Sequence, residues 1–242
     1  MFNSWCLIAI FVVAAFGGFI QRVTGFGFGI FVMIFFPYII QTHTCATAVS
    51  TLVSCLISAF NAVVYRKEIP YKKLIPLTAS ALITIPVAVA FSVFVPGETL
   101  KKALGIVLVL LSIYFLFFNS RISIRANVKN GVIAGGISGI LTGLFSTGGP
   151  PVVLYLMNAL TDNAAYFAST QFYFGLTGIY STIVRFFNGI ITTQVIAYSA
   201  IGLVGILIGN FVGKCVFDKL NSKRLRQLIY VGMIASGIVM LF

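Results

Sequence analysis

Acidic residues are almost missing from this chain. Only Glu68, Glu98, Asp162 and Asp218 stand against sixteen lysines and arginines, and all four fall in connectors or at the ends of apolar runs. A proton relay of intramembrane carboxylates is therefore excluded. Histidine is as scarce: His43 is the only one, read as an interfacial polar anchor, with proton sensing the alternative. Cys6, Cys45, Cys55 and Cys215 lack the close pairing that metal or redox sites need. General acid–base or metal-assisted catalysis has no constellation to work with, so neither an enzyme nor a metal or cofactor is expected. The first twenty residues hold no Lys or Arg, which removes the n-region of a signal peptide, and the N-terminus is expected to be retained.

What is abundant is apolar surface. Of the 242 residues 60% are hydrophobic and 8% charged, against about 25% charged in soluble domains, and the mean hydropathy is +1.08. Lipid must be the solvent, so the backbone has to bond internally in helices or a closed barrel. The apolar runs far exceed the roughly ten alternating residues of a barrel strand. An all-α polytopic membrane protein follows. The basic excess sits in short connectors, where it meets anionic headgroups rather than nucleic acid.

The first apolar stretch, from about Cys6 to Ile40, is too long for one crossing of about 30 Å and short for two. It is interrupted at Gln21, Arg22 and the run Gly25 to Gly29, which predicts a helical hairpin with a glycine-rich tip. Helices follow at about 44–65, 74–95 and 103–118. The pattern then restarts: a broken segment at about 131–160, interrupted at Ser146 to Pro151, and helices at about 163–187, 190–213 and 225–242, with Asp162 as an N-cap. Gly18 and Gly139, and Gly27 and Gly148, are each 121 residues apart. A duplication is the simplest cause, giving repeats at 1–120 and 121–242 within one integral membrane domain.

Charge suggests how the repeats are oriented. If each broken segment returns to its own side, the connectors Arg66–Lys73, Arg121–Lys129 and Lys214–Arg226 share one side. They carry twelve basic residues, against Lys101, Lys102 and Arg185 on the other. If each broken segment is a single crossing, the bias vanishes. The positive-inside rule prefers the first arrangement, which predicts two homologous halves as an inverted repeat. Each half is then a Gly-broken helical hairpin plus three transmembrane helices, with both termini on the outer side.

Paired helix breaks at matching positions point to a binding site, because a helix stopped within the membrane presents unpaired N–H groups and a partial positive end to an anion. Gln21, Arg22, Thr24, Gly25 and Gly27 of the first break are the candidates there, and Ser146, Thr147, Gly148, Gly149 and Pro150 those of the second. Thr142 occupies the same region. Arg22 suits bidentate oxyanion contact, unless it snorkels to an interface. Gln171 is a long amide that could reach the ligand. Ser50, Thr51, Ser54, Asn61, Ser169, Thr170, Thr177 and Asn210 read as polar residues satisfying helix backbones or neighbours, and Arg185 as a helix-end anchor.

The stretches Gly18-Phe-Ile-Gln-Arg-Val-Thr-Gly-Phe-Gly-Phe-Gly29, with Pro37 beyond, and Gly139-Ile-Leu-Thr-Gly-Leu-Phe-Ser-Thr-Gly-Gly-Pro-Pro151 resemble the paired signatures of the TauE/SafE sulfite-exporter-like family. The resemblance runs over essentially the whole chain. It implies a bacterial-type inner-membrane permease for a sulfur oxyanion or organosulfonate, such as sulfite or sulfoacetate, working by alternating access. Carried over by motif, Gln21, Thr24, Gly25, Gly27, Ser146, Gly148, Gly149 and Pro150 would line the site. The expected partners are a small anion and membrane lipid, with a homodimer left open. A channel-like anion pore and a non-transporting scaffold or assembly subunit are the competing functions.

Overall fold

The computed structural model describes residues 4–115, 126–216 and 222–241; the expected helical residues 116–118, the acid Asp218 and the basic residues Arg121, Arg125 and Lys219 lie outside them. Among the described residues the chain forms ten α-helices and no strand. They are α1 (Ser4–Thr24), α2 (Phe28–Ile39), α3 (His43–Val64), α4 (Tyr71–Phe94), α5 (Gly97–Ile113), α6 (Val128–Phe145), α7 (Gly149–Ala159), α8 (Asn163–Phe187), α9 (Thr193–Val216) and α10 (Ser222–Leu241). Five of these, α1, α3, α4, α6 and α9, are long and apolar enough to cross a membrane. The protein is an all-α polytopic membrane protein.

Polar side chains set several of the helix starts. Thr42 caps α3 by accepting the Cys45 N–H at 3.3 Å, Asn127 caps α6 from Asn130 at 2.8 Å, and Asp162 caps α8 from Ala165 at 2.7 Å. Helix α5 begins at Gly97 behind Pro96, six residues ahead of the start expected at Ala103. Proline's fixed φ and Glu98 in the first turn favour nucleation there. The arms of the broken segments are unequal: α1 and α6 have 21 and 18 residues, α2 and α7 only 12 and 11. At about 1.5 Å per residue the first arms alone are long enough for a crossing, while the second arms reach about halfway.

Packing follows a pattern that survives exchange of the halves. α1 lies mainly along α9 and α6 along α4, while α3 pairs with α8 and α5 with α10. Replacing each of α1–α5 by its counterpart among α6–α10 returns the same set of pairs. The α3–α8 pair is antiparallel: Thr47 meets Arg185, Cys55 meets Gly178, and Asn61 meets Gln171.

Glycine seams bring these helices together, as expected where lipid supplies no hydrophobic drive between helices. A Cβ on Gly209 of α9 would strike the Ala15 carbonyl of α1, and one on Gly135 of α6 would strike the Leu77 carbonyl of α4. The outward faces carry Ile83, Val87, Phe91 and Phe94 on α4 and Phe211 on α9, all exposed. This is the apolar surface that a bilayer covers.

Candidate functional site

The two breaks meet. Gly25 follows the last residue of α1, and its φ of 80° lies in the left-handed region; Ser146 caps the end of α6 with φ 57°. That conformation closes a helix by turning the next N–H back onto the last turn: Gly25 N–H bonds the Gln21 carbonyl at 2.8 Å and Ser146 N–H the Thr142 carbonyl at 3.1 Å. Ser146 is the one non-glycine residue with positive φ among those described, and a left-handed non-glycine residue costs roughly 1–2 kcal/mol. Gly29, in the first turn of α2, packs so close to Ser146 that a Cβ there would collide with the Ser146 carbonyl.

Around this crossing lies a cavity of about 60 Å³, lined by Gln21, Phe26–Ile30, Thr51, Ser54, Ser58, Thr142, Ser146–Gly149, Phe174, Thr177 and Gly178. One ordered water takes about 10–15 Å³, so the space suits a solute of only a few heavy atoms. Among the described residues no ionised side chain lines it. Its polarity comes from helix ends and neutral groups. Helix α2 begins at Gly27 with no side-chain cap, leaving the N–H groups of its first turn, from Phe28 to Ile30, without intrahelical partners. Helix α7 also starts uncapped, but Pro150 and Pro151 offer no N–H, so Gly149 is its main donor there.

Two wall residues carry unspent polar capacity. Gln21 is 4% exposed and donates from Nε2 to Ser58 Oγ at 3.2 Å, while its Oε1 is unpartnered. Thr147 is 1% exposed and its Oγ1 has no partner. Turning the Gln21 amide would let Oε1 accept from Ser58 and aim an N–H at the cavity. Ser146 Oγ lies 3.0 Å from both Ser50 Oγ and Thr51 Oγ1. Ser54 and Thr177 also face the cavity but donate to their own helix at Thr51 and Tyr173.

The other residues singled out in the sequence fall outside the cavity wall. Gln171 is fully buried; it donates to the Gly25 carbonyl at 3.0 Å and accepts from Asn61 at 3.2 Å, so it holds the first break. Gly25 and Pro150 are buried beside the cavity. Arg22 lies against α9 at Gly213, with its guanidinium 5.9 Å from the centre of the Phe167 ring. Thr24 ends α1, and its side chain lies outside the described residues.

Supports of the second break were harder to foresee. Tyr173 donates to Ser138 Oγ at 2.9 Å, which donates to the Gly148 carbonyl at 2.6 Å. Arg185 lies in the last turn of α8, as the reading of a helix-end anchor has it, but it is 0% exposed and points into the protein. It donates to Thr47 Oγ1 at 3.0 Å and to the Thr142 and Gly143 carbonyls at 3.3 and 2.7 Å. His43 Nε2 bonds the Leu144 carbonyl at 2.9 Å. The last turn of α6 is thus held from two neighbouring helices. A signal was present: Thr177, Ser181 and Arg185 recur every fourth residue on one face of α8.

The family profile described as Sulfite exporter TauE/SafE matches residues 10–240, taking in both breaks and at least part of every helix. The chain belongs to the sulfite exporter TauE/SafE family. Nothing among curated proteins or solved structures matches it. Membership makes it a member of a membrane transporter family, and in this TauE/SafE protein the two signature stretches face each other across one small cavity.

Proposed function

We propose that the protein is a secondary transporter that carries a small sulfur oxyanion, sulfite-like in size, through the cavity between the two breaks. The observation that carries this reading is the convergence of an uncapped α2 N-terminus with Gln21 and Thr147, two buried side chains that each hold an unpartnered oxygen, on one small cavity. Such a wall recognises an anion by donor geometry and by the partial positive end of a helix. The proposed contacts are the backbone at Gly27–Ile30 and Gly149 and the side chains of Gln21, Ser146 and Thr147. Gln171, Gly25, Gly148 and Pro150 shape the breaks. The volume suits sulfur with three oxygens and leaves no room for the carbon tail of sulfoacetate or taurine in this conformation.

Alternating access between inverted halves is part of the proposal. Its supports are the antiparallel α3–α8 pair of counterpart helices, the exchange symmetry of the packing and the lopsided connector charge. Removing the buried Arg185 from the connector count sharpens that bias. These supports favour an inner-membrane protein with both termini outside.

The test is sulfite flux into proteoliposomes containing the purified protein. Saturable, low-turnover flux without unitary current is expected. Unitary conductance would indicate a pore, and absence of any anion flux would return the scaffold reading.

A further inference from the structure

Arg185 carries a full charge into the protein interior, and no carboxylate among the described residues pairs with it. Its guanidinium is fully buried, its partners are one hydroxyl and two carbonyls, and its Nε has no partner. Glu68, Glu98 and Asp162 are all exposed, and among the described residues Arg185 has no carboxylate partner. A buried charge without a counter-ion is costly, and helix-end carbonyls compensate only part of it, since a helix C-terminus carries about half a charge.

The position of that charge is informative. The Thr142 carbonyl that it holds belongs to a residue whose side chain lines the cavity. On its other flank Thr47 accepts from Arg185 and, through its own carbonyl, from Thr51, another cavity residue. The guanidinium is therefore one residue behind the wall on two sides.

We propose that Arg185 is the counter-charge of the cavity: it does not touch the anion but sets a positive field there, and the bound anion is what completes its neutralisation. This inference rests on the anion-site reading above. In it Arg185 is a positioning residue for α6 and a determinant of selectivity for anions over neutral solutes. Evenly spread hydroxyls alone would not make that distinction. Coulomb attraction falls only inversely with distance, so at an effective dielectric of about 20 a unit charge one residue behind the wall is still worth about a factor of ten in affinity for a monoanion.

The test neutralises Arg185 where it stands, without removing the side chain that braces α6. Thr47→Asp places a carboxylate against the guanidinium, and Thr47→Asn is the uncharged control of the same shape. Sulfite binding to the purified full-length protein is measured by thermal unfolding and calorimetry for both variants and the wild type. The expected result is affinity within about threefold of wild type for Thr47→Asn and a loss of about tenfold or more for Thr47→Asp, with both folded. Arg185→Lys should keep more affinity than Arg185→Gln when the two unliganded proteins have matched unfolding temperatures, the condition that separates the charge from the brace. Equal affinity of Thr47→Asp and Thr47→Asn, with wild type binding sulfite, overturns the counter-charge alone. If wild type binds no anion, the anion-site reading fails and takes this inference with it. Should the Thr47 variants not fold, the Lys-against-Gln comparison decides.

Discussion

Gly25 and Ser146, 121 residues apart, adopt the same left-handed backbone at the ends of the first arms of their halves. One needs no side chain to do so. The other keeps a side chain there despite the strain, and its hydroxyl is placed among Ser50 and Thr51 at the cavity. Strain of this kind persists where the surroundings over-determine it, often at binding sites.

Ser146→Gly should therefore separate stability from binding. Relief of the left-handed strain is expected to leave the unliganded protein as stable as wild type or up to about 1 kcal/mol more so, while sulfite affinity falls. Ser146→Ala keeps the strain, loses the hydroxyl and should be worse on both counts. Thermal unfolding of each variant with and without sulfite checks this.

Gly29→Ala tests the contact between the breaks. The added methyl meets the Ser146 carbonyl, and backbone cannot swing aside as a flexible side chain can. Overpacking of this kind costs about 1–3 kcal/mol. The expected outcome is protein that inserts and folds but transports sulfite at least about tenfold more slowly, read as flux in proteoliposomes alongside yield on size-exclusion chromatography.

The two buried glutamines should behave in opposite ways. Gln171→Ala strands the Gly25 carbonyl and the Asn61 amide, about 1–3 kcal/mol for each buried group left unpaired, so its main effect is a lower unfolding temperature. Gln21→Leu removes an amide whose oxygen is already unpartnered. It strands only the Ser58 hydroxyl, so it should lower the unfolding temperature less than Gln171→Ala does and abolish the anion-induced rise.

Arg22→Ala is expected to bind sulfite within about twofold of wild type, because the guanidinium stands over Phe167 and outside the cavity wall. A tenfold loss, about 1.4 kcal/mol, measured by calorimetry would instead bring Arg22 into the site on ligand binding.

The fold class was legible because lipid leaves few choices: long apolar runs with almost no charge can only be helices. The breaks were legible because Gly25–Gly29 and Ser146–Pro151 combine residues that helices avoid in their interiors. Which side chains face the cavity was not, since rotation about a helix axis is fixed by packing that a single sequence does not display. Arg22 and Arg185 show it best. The arginine beside the break turns to α9, while the one 39 residues after Ser146 in the chain returns to brace α6. Gln171 was noticed for its length, but only the fold reveals that it bonds the Gly25 carbonyl at the first break.

The central claim is that the paired breaks bind a small oxyanion, and a sulfite titration of the purified full-length protein, followed by thermal unfolding, tests it most directly. Wild type should gain stability logarithmically with concentration, by about 2.7 kcal/mol at 100 times the dissociation constant, taurine should give a smaller shift at equal concentration, and Gln21→Leu should give none with sulfite. An unfolding temperature indifferent to sulfite in wild type, or a rise of the same size in Gln21→Leu, would contradict the account.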